Sequence, residues 1–482
     1  MAWLLGGGPL ADALALALRL PNMARRLLGE GTLSMSLTAG FSRSVTSTDV
    51  QPGPDEYARL SRLAAAIGMR LAAVLGCIVL LGEALAQPLM ALLTPGLQAE
   101  FAAHSAFLLR ICLPYVFFAG MAALTMALLH SLRSFLLPSL SPVFFNLTVI
   151  AFAGLAALGL ADPALLLALG VLCGGLVQCL SQSIALHRLG VDLRHTCSGR
   201  LENTAARDLR HNLRRLLLSI AGAAAPQLSM LGAAVLASWL PTGSIAALYY
   251  AERILEFPLG LAGTAPGMAS LPSLAALAAA QRMTDVEREA GDALRLSFCI
   301  SLPATAGLLA TAEPLVRLLF LRGSFDSQTL AVTTLALCAY APGLPAYAAT
   351  RPLLALCNAC DKTRLAGTSA LIAVPFAFFA GLLLLPYGVA GPALALSLGL
   401  WGQAATLWCG LHRSGIRLRV SPAALVRYAA GSALVFAAAY LGLLLLPGSF
   451  LSLMLAVALA ITVYTVFLLA LDGRDTMRFR RS

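Results

Sequence analysis

Apolar runs of about twenty residues recur from one end of this chain to the other. A helix needs about 20 such residues to cross a hydrocarbon core of about 30 Å. Backbone amides find no water there, so only helices or a closed barrel are admissible. The runs are continuous rather than alternating, which selects helices. Membrane helices are expected at residues 10–45, 60–88, 104–130, 136–159, 163–187, 209–239, 244–279, 292–320, 327–357, 366–386, 390–411, 424–446 and 449–471. The fold class is all-α and polytopic, with 13 crossings counted on these runs. Composition agrees: 11% of residues are charged, against about 25% in a soluble domain.

The basic residues alternate from loop to loop. One set of loops holds Arg43, Arg59 and Arg62; Arg133; the seven arginines between Arg188 and Arg215; Arg282 and Arg288; Lys362 and Arg364; and Arg413, Arg417, Arg419 and Arg427. The tail adds Arg474, Arg478, Arg480 and Arg481. The opposite turns, at Thr94-Pro95-Gly96, Asp162-Pro163, Pro241-Thr242-Gly243, Pro386-Tyr387-Gly388 and Pro447-Gly448, hold none. Basic loops stay on the cytoplasmic side, so the C-terminus is expected there. Arg317 and Arg322 alone break the pattern. An odd helix count then places residue 1 outside without a basic leader. One upstream helix is therefore expected to be missing.

Several function classes are excluded or weakened. The chain has one lysine, Lys362, preceded by no glycine run, so a phosphate loop is absent and an ATP-driven pump within the chain is not expected. Cys357-x-x-Cys360 is the one close cysteine pair among ten. Without a second pair it reads as free, mostly buried thiols. The six histidines lack ligand spacing. No catalytic residue, metal, cofactor or nucleic acid is expected. An enzyme transferring phospho-sugars to polyprenol would need acids clustered in a cytoplasmic loop, and no loop has them.

Ionisable groups inside membrane helices are costly, and they mark cavities or partners. Asp12, Arg19, Arg26 and Glu30 fall near one helical stripe, with Arg25 beside it and Pro21 between. Pro21 is expected to kink the helix. Either these arginines face a cavity, or Arg25 and Arg26 snorkel at the end of a shorter helix. The second cluster is Tyr249-Tyr250-Ala251-Glu252-Arg253-Ile254-Leu255-Glu256-Phe257-Pro258. Arg253 and Glu256 are i,i+3 neighbours, and Glu252 and Glu256 i,i+4. Pro258, Pro266 and Pro272 interrupt this segment, as in the broken helices of transporters. The other reading is an internal ion pair joining helices. Arg110, Glu83, Glu313, Arg317, Arg322 and Arg351 are further inward candidates, Glu83 and Glu313 lying near outer ends. Asn146 reads as polar glue between helices. An arginine excess implies anionic cargo, because a guanidinium pairs bidentately with phosphate or carboxylate.

Pro21-Asn-Met-Ala-Arg-Arg-Leu-Leu-Gly-Glu-Gly-Thr-Leu-Ser34 resembles the PN-x-x-RR-x-x-x-EG-x-x-S segment of the lipid II flippases of the MurJ/MviN type. These belong to the multidrug/oligosaccharidyl-lipid/polysaccharide exporter superfamily. Asp12-Ala13 and Tyr249 to Pro258 are similar to two more of the family's segments, as are Leu93 to Gly96, Pro138 to Asn146, Leu271 to Ser273 and Arg322 to Phe325. The resemblance implies fourteen helices, as two pseudo-symmetric six-helix lobes around a central cavity followed by two more. Boundaries are expected at 1–190 for the first lobe, 191–208 for a cytoplasmic linker, 209–415 for the second lobe and 416–482 for the added helices and tail. The family's first helix carries its own arginines, and this chain begins after them.

The resemblance further implies flipping of undecaprenyl-pyrophosphate-linked peptidoglycan precursor by alternating access in the bacterial inner membrane. The partners it implies are that lipid-linked saccharide-peptide, membrane lipids and cell-wall synthesis proteins. The candidate cargo set is Arg25, Arg26, Arg253, Asp12, Arg19, Asn22, Glu30 and Glu256. Asp12, Glu252 and Glu256 are the acids expected to couple to a proton or monovalent cation. Rival readings are an exporter of drugs or O-antigen lipid from the same superfamily, or a truncated inactive paralogue. A drug exporter calls for an acid-dominated cavity, whereas this chain is rich in arginine.

Overall fold

The structure, a computed structural model, describes residues 1–29, 37–38, 41, 54–191, 224–418, 420–445 and 450–471. Glu30 and the basic segment 192–223 lie outside these, as does most of the stretch to residue 45 that was expected to continue the first long helix. No strand occurs among the described residues. Ten described segments are long and apolar enough to cross a membrane, which makes this a multi-pass membrane protein. Leucines such as Leu80, Leu92, Leu371 and Leu383 point outward, as hydrocarbon contact requires.

The chain divides into two compact units, Trp3–Ala223 and Ala224–Ser482. The first holds α1 (Ala2–Leu5) at its start, α2 (Pro9–Gly29), α3 (Pro54–Leu93), α4 (Ala99–Cys112), α5 (Pro114–Ser131), α6 (Leu136–Ala157) and α7 (Pro163–Arg188). The run expected as one helix at 104–130 is two, abutting at Leu113. Pro114 has no N–H to bond back into α4, so it starts a new helix at its first position. Asp162 caps α7 by accepting from the Ala164 amide at 3.0 Å. Leu60, Ala64, Leu124, Leu128 and Leu186 close the core of α3, α5 and α7. Within it Gln182, 1% exposed, accepts from Thr125 at 2.9 Å and donates to Ser141 at 2.8 Å. One amide thereby ties three helices.

The second unit holds α8 (Ala224–Ala237), α9 (Ser244–Leu259), α10 (Ala265–Ala279), α11 (Met283–Phe320), α12 (Ser327–Tyr340), α13 (Leu344–Ala359), α14 (Thr363–Leu384), α15 (Ala390–Arg413), α16 (Pro422–Leu445) and α17 (Phe450–Leu471). A five-residue π turn, Gly260–Thr264, joins α9 to α10. The prolines expected to break this segment leave it helical, and the departure is one wide turn between Pro258 and Pro266. Without an N–H, each proline frees a carbonyl, and a π turn absorbs the mismatch. The long α11 begins nine residues before the expected 292, because its first turns are a charged extension held by Arg282–Asp285 at 2.7 Å. α16 and α17 pack with α11 through Val435, Ala439, Ala460 and Ala306. The Tyr464 hydroxyl donates to the Cys299 carbonyl at 2.7 Å.

Five helices on the basic-loop side end in one way. After α5, α7, α10, α13 and α15, a residue with positive φ follows: Arg133, Gly190, Gln281, Asp361 and Gly415. The next amide then reaches back to a carbonyl five residues earlier, as Lys362 does to Cys357 at 2.7 Å. This is the Schellman cap. Of the nine cysteines described, all are free, but only Cys112 and Cys357 are buried.

Candidate anion-binding site

In the first unit the cluster rides on α2. Asp12 and Arg19 are 3% and 8% exposed, while Asn22, Arg25 and Arg26 are half-buried. Pro21 lies inside the helix, which runs on to Gly29. The four charged residues of α2 therefore share one element packed on α4 and α5. Its inner half is sealed and its later turns are open.

In the second unit the cluster on α9 has split roles. Arg253 donates to both carboxylate oxygens of Glu256 at 3.0 and 3.1 Å. It donates also to the Tyr249 hydroxyl at 3.0 Å. Its guanidinium stacks on that ring, 4.7 Å from the centroid. Both charged side chains keep about a third of their surface open. Glu252 is instead 7% exposed and accepts from Tyr340 of α12 at 3.0 Å. Glu252 and Glu256, i,i+4 neighbours in sequence, thus have different partners. A guanidinium fixed in orientation by a ring and a carboxylate, yet partly open, is preorganised for an anion.

The remaining inward candidates resolve differently. Arg317 pairs with Glu313 at 2.7 Å on the surface, so one violation of the charge rule is locally neutralised. Arg322 donates to the Leu318 carbonyl, and Arg110 to the Glu83 carbonyl. Asn146 is exposed on α6; the polar tie between helices is Gln182. Arg351 stacks on Tyr347. Tyr340 and Tyr347 were not singled out by sequence, and Tyr249 was named as the start of its motif without a role. The Tyr-x-x-x-Arg spacing could have signalled the roles of Tyr249 and Tyr347.

The sequence profile of the lipid II flippase MurJ family matches residues 1–467. The chain belongs to that family. A probable lipid II flippase MurJ of Bdellovibrio bacteriovorus is 33% identical over 367 residues, 75% of this chain and 68% of that protein. The lipid II flippase MurJ of Burkholderia cenocepacia is 31% identical over 346 residues, covering 70% of this chain and 64% of its own length. The fold is that of a MurJ structure in an inward closed conformation, with a TM-score of 0.77 at 20% identity over 99% of this chain and 95% of the other. An inward-facing multidrug MATE transporter matches with a TM-score of 0.70 at 16% identity over 86% and 93%. The MurJ fold accounts for the all-α bundle, and its transporter family agrees with the absence of catalytic spacing in the sequence.

Proposed function

We propose that this protein flips undecaprenyl-pyrophosphate-linked peptidoglycan precursor from the cytoplasmic to the periplasmic leaflet. The observation that carries the reading is Arg253, held by Glu256 and Tyr249 inside an apolar bundle yet partly open. A pyrophosphate offers the oxygens such a fork binds. Arg25 and Arg26, with Asn22 on the same open turns of α2, supply the cationic surface of the first unit, and Arg19 and Asp12 are buried on the same helix. The protein resides in the bacterial inner membrane with its basic loops and C-terminus cytoplasmic. The cycle is one of alternating access, the prenyl tail staying in lipid. Membrane potential, worth roughly 2.3 kcal/mol per charge per 100 mV, or a proton or cation on Asp12, Glu252 or Glu256 resets the cycle. Family membership and the alternation of basic loops support this.

The test is rescue of cells depleted of their own lipid II flippase. Growth on production of this protein, with lipid II becoming accessible outside, is expected. Membrane-inserted protein that neither rescues nor exposes lipid II overturns the reading.

A further inference from the structure

The second unit contains two copies of one arginine arrangement, and the reading above uses only one. In α13 the Arg351 guanidinium lies over the Tyr347 ring, 4.5 Å from its centroid. It also donates to the hydroxyl of that tyrosine. This repeats Arg253 on Tyr249, at the same spacing of four. The difference lies in the counter-charge. Arg253 has Glu256, whereas Arg351 makes no ion pair among the described residues, and its buried Nε has no hydrogen-bond partner.

Three further facts argue against packing alone. From Leu344 to Cys357 every residue of α13 is buried except Arg351, so this side chain alone reaches an opening. The backbone of α10 comes unusually close: a Cβ on Gly267 would sit 2.8 Å from the Arg351 Cβ, so a glycine there lets the two helices seat the arginine. The guanidinium also turns toward Tyr347, away from Ala359, the nearer end of the membrane span Ser327–Ala359. A snorkelling arginine reaches for the near interface. With donors to spare and no acid, the group is built for an anion.

Its depth adds meaning. Gly267 lies fourteen residues beyond Arg253 on the same helical path, which is about 20 Å at 1.5 Å per residue. We propose that Arg351 is a second anion contact of this unit, holding the pyrophosphate of a prenyl-linked cargo nearer the basic-loop end, before Arg253 receives it. The proposal rests on the flippase reading, and the experiment separates the two.

Purified full-length protein in detergent is titrated with undecaprenyl pyrophosphate, with undecaprenol as the uncharged control and inorganic pyrophosphate as competitor. Arg351→Gln is expected to weaken undecaprenyl pyrophosphate binding at least tenfold and leave undecaprenol unchanged. Arg351→Lys is expected to weaken it several-fold, and it decides the matter if Arg351→Gln is not recovered from the membrane. Arg253→Gln is run beside them. Weakening by Arg253→Gln with unchanged binding by the Arg351 variants overturns the second contact alone. Equal binding of the two lipids by the unaltered protein overturns the flippase reading together with this one. Competition by inorganic pyrophosphate as strong as by the lipid shows a free-anion site and overturns the prenyl-linked assignment.

Discussion

The Tyr340 hydroxyl donates to Glu252 at 3.0 Å across 88 residues of sequence, while the adjacent Arg253 engages Glu256 on its own helix. Neighbours in sequence thus divide the labour: Glu252 joins α9 to α12, and Arg253 keeps about a third of its side chain open. Tyr340→Phe removes one donor from a buried carboxylate. It is expected to cost about 2 kcal/mol, read as a lower thermal midpoint in detergent, with the protein still able to rescue. A midpoint equal to that of the unaltered protein would show the bond contributes nothing.

Arg253→Ala and Arg25→Ala are each expected to abolish rescue while membrane abundance is kept. Arg25→Lys is expected to be strongly impaired, since a point charge lacks the guanidinium fork. Arg413→Ala, at the end of α15, is expected to be tolerated. Growth after flippase depletion, with immunoblotted protein level, is the measurement. Loss of the alanine variants from the membrane would instead mark structural ion pairs.

How far these roles were legible in sequence depends on range. The Arg253–Glu256 pair follows from i,i+3 spacing on a helix, and the helices themselves follow from apolar length. Glu252–Tyr340 does not, because no local rule links positions 88 apart. Gln182 was passed over as one polar residue in an apolar run, and only packing shows that it faces Thr125 and Ser141. The break at Pro114 was legible in principle, whereas the π turn depends on how Gly263 meets Ala348. A Cβ there would lie 3.1 Å from the Ala348 Cα.

Gln182→Leu leaves Ser141 without its amide donor and Thr125 without its acceptor across the interface. A loss of about 1–3 kcal/mol is expected, read from denaturation of the purified protein. Gln182→Glu, which keeps one acceptor, should fall between. A stable leucine variant would show that packing outweighs the network.

Gln281 and Asp361 both hold φ of 57°, a region that costs a residue with a Cβ about 1 kcal/mol or more. Gln281→Gly and Asp361→Gly are expected to raise the thermal midpoint, by roughly 0.5–1 kcal/mol each. Gly415→Ala, with φ of 87°, is expected to lower it. A fall for both glycine variants would contradict the cap assignment.

Asp326 caps α12 outside the membrane spans, accepting from the Thr329 side chain and amide. These bonds hold its carboxyl below the ordinary 3.8. A depressed folded value means the cap stabilises above the unfolded pKa and is lost as pH falls through the folded one. Amide exchange at Thr329, compared between pH 7 and pH 3, is expected to accelerate beyond its intrinsic pH trend in the unaltered protein but not in Asp326→Ala. Equal behaviour of the two would remove the cap from the account.

The wide turn at Gly260–Thr264 has a consequence for phase. Each residue of an α-helix advances the facing direction by about 100°, so one surplus residue sets the rotational offset between everything before it and everything after. Wound regularly at unchanged length, the stretch would swing Gly267 about a quarter turn away from Arg351, because a π turn advances about one α residue less over its five residues. Deleting Gly260 together with a return to regular winding would leave Gly267 facing Arg351. The wide turn therefore absorbs one surplus residue and keeps the two tyrosine-backed arginines along a shared track.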